Sequence, residues 1–84
     1  MIDEEQAEME MSSELARDIA DKIEELQIPA EVREAVPVAL VTLAGRMIGS
    51  SIKNAEFVKL LTEEYTAHLA EVIVSTYRAK SQYN

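Results

Sequence analysis

Between Val36 and Ile52 the chain carries a single charged residue, Arg46. This run most limits what the chain can fold into. Val36, Leu40, Val41, Leu43, Ala44, Met47, Ile48 and Ile52 spread over more than half the circumference of a helix, and its polar stripe is narrow: Thr42, Arg46 and Lys53. One neighbouring helix covers only about 100° of arc. A helix here therefore needs neighbours on several sides. As a membrane span the run is short of the roughly 20 residues a crossing requires, and Gly45, Arg46 and Gly49 interrupt it.

The front of the chain is the opposite. Twelve of the 16 acidic residues lie in the first 34 positions, against three bases there, Arg17, Lys22 and Arg33. That segment sums to -9 and the remainder to +1, which together give the net charge of -8. A front of this sign repels nucleic acid phosphates and anionic lipid, and attracts a basic protein surface. No direct contact with nucleic acid or membrane is expected.

The start, Met1-Ile2-Asp3-Glu4-Glu5, has neither the basic residues nor the apolar run of a secretory leader. The chain has no cysteine. That removes disulfides and thiolate zinc sites as staples and agrees with a cytoplasmic location. A domain of 84 residues buries a limited core, and oligomerisation is the common remaining device.

Periodicity predicts an all-α fold: a small bundle of three longer helices plus one short helix, completed by oligomerisation, most simply as a dimer. Residues 1–11 read as an acidic flexible arm or a frayed helix extension, and 12–84 as one helical domain. Ser12 or Ser13 is placed to cap the first helix. Its apolar arc is Leu15, Ala16, Ile19, Ala20, Ile23 and Leu26, with Asp18, Asp21, Glu24 and Glu25 among the residues opposite. Pro29 biases Ile28 away from helix and ends it. A short helix is expected from Pro29 to about Ala35, and a third from about Pro37 to Ser51. The third is expected at the centre, with the first and last packed on it. Asn54 is placed to cap the last helix, which runs to Arg78 or Lys80. Its core face is Phe57, Val58, Leu61, Tyr65, Leu69, Val72, Ile73 and Thr76.

Two sets of residues are candidates for contacts with other molecules. Asp18, Asp21, Glu24 and Glu25 form an acidic face suited to a basic partner. Val41, Gly45, Ile48 and Gly49, with the seven-residue line Leu60, Ala67 and Val74, are expected to form a seam between copies. Residues seven apart stay on one stripe over several turns.

Catalytic chemistry finds no foothold. No Ser or Thr is tied by spacing to a base and an orienting acid, and no Gly-rich phosphate loop exists. The acids lie on wet faces, whereas acid–base work wants a dry one. Glu64, His68 and Glu71 fall on one side of the last helix and could ligate a metal. The paired Glu-x-x-His spacing of di-metal bundles is missing, however, so neither metal nor other cofactor is expected.

The segment Ser51-Ile52-Lys53-Asn54-Ala55-Glu56-Phe57, followed by Val58, Leu61, Glu63, Glu64 and Tyr65, resembles the serine-plus-helix segment of acyl carrier proteins. The resemblance implies a phosphopantetheine arm on Ser51. Ser50 stands where the family has Asp, Lys53 takes an acidic position, and an apolar helix replaces the family's long loop. The leading expectation is a non-enzymatic oligomeric interaction module, an adaptor or regulator. The alternatives are an acidic nucleic-acid mimic that inhibits a DNA- or RNA-binding protein, a carrier modified at Ser51, and a metal-binding helical protein using His68.

Overall fold

The computed structural model describes residues 3–82. Three α-helices and one short turn account for nearly all of them: α1 (Glu4–Glu25), a 3-10 turn (Ala30–Val32), α2 (Ala35–Ser51) and α3 (Glu56–Gln82). The described residues contain no strand, and the fold is all-α.

α1 begins at Glu4, eight positions before Ser12, so the serines expected to cap it lie inside it. The N-cap is Asp3, with extended backbone, and its carbonyl accepts from the Ala7 N–H at 3.0 Å. Glu4 and Glu5 then occupy the first turn, where carboxylates suit the positive end of the helix dipole. Residues 4–10, which lie in the expected arm, are helical, and residues 1 and 2 lie outside the described residues. At the other end Leu26 caps the helix and Gln27 takes a left-handed backbone, φ 51°. Helices often stop on a residue of this conformation, although glycine is the usual occupant.

The short helix expected from Pro29 to Ala35 contracts to the single turn Ala30–Val32, with Pro29 as its N-cap. α2 starts two residues earlier than expected, at Ala35, because Pro37 falls in the first turn, where its missing N–H is no loss. Asn54 does cap α3: its Oδ1 accepts from the Glu56 N–H at 3.0 Å.

The chain divides into two units, one up to Leu40 and one from Val41 onward, so the boundary falls inside α2. Within neither unit do described residues twelve or more positions apart approach within 8 Å, Cα to Cα. No described residue is buried. The least exposed are Ile23, Ile28, Val36, Ile48, Ile52 and Leu61, all aliphatic and all only part-covered. Side chains expected as core on α3, among them Phe57, Tyr65 and Leu69, stand in the open. Within each unit the helices are therefore formed but not covered.

Candidate interaction surfaces

Asp18, Asp21, Glu24 and Glu25 all lie on α1 and all are exposed. Their position along the helix is informative. Glu24 and Glu25 fill the last turn, where the dipole is negative and a carboxylate costs a few tenths of a kcal/mol. Lys22 offsets part of this through an ion pair with Glu25 at 3.4 Å. With both side chains largely in water, such a pair contributes at most about 0.5 kcal/mol. Helix stability alone gives no reason for two acids at this end.

The second expected surface is split between two helices. Val41, Gly45, Ile48 and Gly49 share one stripe of α2, and Leu60, Ala67 and Val74 share one stripe of α3. Val41 is 54% exposed, Leu60 50% and Val74 45%. Among the described residues, a Cβ added at Gly45 or Gly49 would meet nothing within 4 Å, so there is open space beside both glycines. Six of the seven residues are exposed, and Ile48 is part-covered.

Serine and histidine chemistry gains little from the geometry. Ser51 is the last residue of α2, and its hydroxyl donates to the Ile48 carbonyl at 2.7 Å. It closes one helix and stands five residues before the next begins. His68 is exposed on α3. Among the described residues no group of three or more His, Cys, Asp or Glu side chains is gathered closely enough to hold a metal ion. An open depression on α3, lined in part by Ala70, Glu71, Val74 and Arg78, lies along a single helix and encloses no paired reacting groups. Among the described residues, no helix is long and apolar enough to cross a membrane.

Comparison with protein-family models, with curated proteins and with solved structures finds no match.

Proposed function

We propose that the chain is a non-enzymatic helical interaction module, an adaptor or regulator, that associates with copies of itself and meets a basic protein surface through α1. One observation carries this reading. Large apolar side chains stand 41–71% exposed on all three helices while no described residue is buried. Large apolar side chains left open along every helix are what a surface of association offers. A chain that is 48% hydrophobic has the means to build a core, and a second copy supplies the missing walls. The acidic last turn of α1 supports the other half of the reading, because those carboxylates work against the helix that carries them.

Sedimentation of the full chain at micromolar concentration tests the first half. A dimer or larger assembly is expected, and a monomer would end the oligomer reading. For the second half, the full chain serves as bait for affinity capture. Association with the captured protein is then timed at rising salt, where screening lengths shrink to about 8 Å at physiological strength. Neutralising Asp18, Asp21, Glu24 and Glu25 to their amides should slow association as added salt does. A rate indifferent to both changes would remove the acidic face from the account. Competition by nucleic acid for the captured protein would shift the reading to a phosphate mimic.

A further inference from the structure

α3 keeps its four carboxylates on one side. At ~100° per residue, Glu56, Glu63, Glu64 and Glu71 fall within about 60° of the direction of Ala67, and Leu60 and Val74 share that side. The opposite side carries Val58, Leu61, Tyr65, Leu69, Val72 and Thr76, with no carboxylate among them. It is accessible: Tyr65 is 51% exposed and Leu69 43%. Its spacing suits a helix-to-helix seam, because Val58, Thr62, Tyr65, Leu69, Val72 and Thr76 alternate steps of four and three. The Thr62 hydroxyl donates to the Val58 carbonyl at 2.6 Å. Its hydrogen bond is met within the helix, which leaves the methyl group free to pack.

This side also reads nearly the same in both directions about position 67. Val58 mirrors Thr76, a near-isosteric pair. Leu61 mirrors Ile73, Thr62 mirrors Val72, and Tyr65 mirrors Leu69. A two-fold contact sets residue i against j and j against i, so mirror mates become neighbours when two copies of one helix run antiparallel. Every layer then joins apolar or shape-matched side chains, and no charge on this side is opposed by its like. The same register on the other side sets Leu60 against Val74, but also Glu63 against Glu71 and Glu56 against Arg78, each twice over by symmetry, so that a repulsive pair is met by an attractive one. Docking there would take the carboxylates of Glu63, Glu64 and Glu71 out of water, which is costly, whereas the first side offers apolar or shape-matched layers throughout; desolvation rather than net charge separates the two sides.

We infer that a second copy docks antiparallel along α3, through the side centred on Tyr65 and Leu69 with its register centred on position 67. The acidic side, with Leu60 and Val74, stays in water. This rests on the reading that copies associate, and it names the surface through which they do.

The chain has no cysteine, so single-cysteine variants of the full chain report contacts cleanly. Under mild oxidation, Thr62→Cys mixed with Val72→Cys should give a disulfide-linked heterodimer. Thr62→Cys alone should not link to itself, and Leu60→Cys mixed with Val74→Cys should not link. Linkage of the Leu60 and Val74 pair would assign the contact to the acidic side, and self-linkage of Thr62→Cys would make the helices parallel. Either result overturns the inference. In sedimentation, Leu69→Lys should raise the dimer Kd at least tenfold and Leu60→Lys less than twofold, and the reverse order would also overturn it. A wild-type chain that is monomeric at tens of micromolar removes the association reading itself. A dimer that fails both the linkage and the lysine tests removes only the surface named here.

Discussion

Gln27 holds a conformation, φ 51°, that residues other than Gly, Asn and Asp seldom adopt. The Gln27 N–H donates to the Glu24 carbonyl at 3.1 Å, so the left-handed turn closes α1 on one of its free carbonyls. Gln27→Gly removes the steric cost of about 1–2 kcal/mol and returns part of it through greater freedom of the unfolded chain. The variant should therefore be more stable by about 0.5–1 kcal/mol, read as a raised midpoint in thermal unfolding by circular dichroism. Gln27→Val, branched at Cβ, should move the midpoint the other way. At the start of α3 the side chain of Asn54 satisfies the Glu56 N–H. Asn54→Ala should cost about 1 kcal/mol, and Asn54→Asp or Asn54→Ser should recover most of it. An unchanged midpoint for the alanine variant would show that this cap adds nothing to stability. The Asn54 cap was legible in the sequence. The Asp3 cap was not, because Ser12 and Ser13 stand beside the first clean apolar period and Asp3 stands in a run without one.

Among the elements, α1 shows a conflict between what a helix wants and what it carries. Its first turn is well served by Glu4 and Glu5, while its last holds Glu24 and Glu25 against one base, Lys22. Replacing Glu24 and Glu25 together by Gln should stabilise α1 by a few tenths to about 1 kcal/mol. The same change should slow association with a basic partner. Opposite signs in the two measurements, melting midpoint and association rate, identify a face kept for binding. A stabilised variant that still associates at the wild-type rate would assign these acids to solubility alone. α1, α2 and α3 were legible because hydrophobic period and proline position act locally: Pro29 closes the first segment, and Pro37 is tolerated only in a first turn. The short second helix was not. Only seven residues separate Pro29 from Pro37, too few to satisfy much backbone internally, and the segment settles for one 3-10 turn of three residues.

At the scale of the molecule the missing quantity is burial. Fixing each residue's backbone costs about 1–2 kcal/mol, and fully burying a large aliphatic side chain returns about 1.5–3 kcal/mol. Phe57, Tyr65 and Leu69 on α3, and Leu43 and Met47 on α2, are positioned to make that return and are exposed. The apolar pattern named these residues from the sequence. It could not say what would cover them, because amphipathicity fixes which side of a helix seeks a partner and leaves the partner open. In proteins most of the stability of helices such as these, of 22, 17 and 27 residues, comes from packing an amphipathic face rather than from propensity. If a second copy supplies the cover, folding and association are one equilibrium, and stability depends on protomer concentration. Helix content of the wild-type chain should then fall as it is diluted a hundredfold from tens of micromolar, and the thermal midpoint should fall with it. Both are read by circular dichroism at a constant product of path length and concentration. Leu69→Lys should show the low-concentration behaviour already at the highest concentration. Helix content and midpoint that hold steady across the dilution, in a chain that sediments as a monomer, would mean that the apolar faces are covered without a second copy, and the homo-oligomer would have to be abandoned.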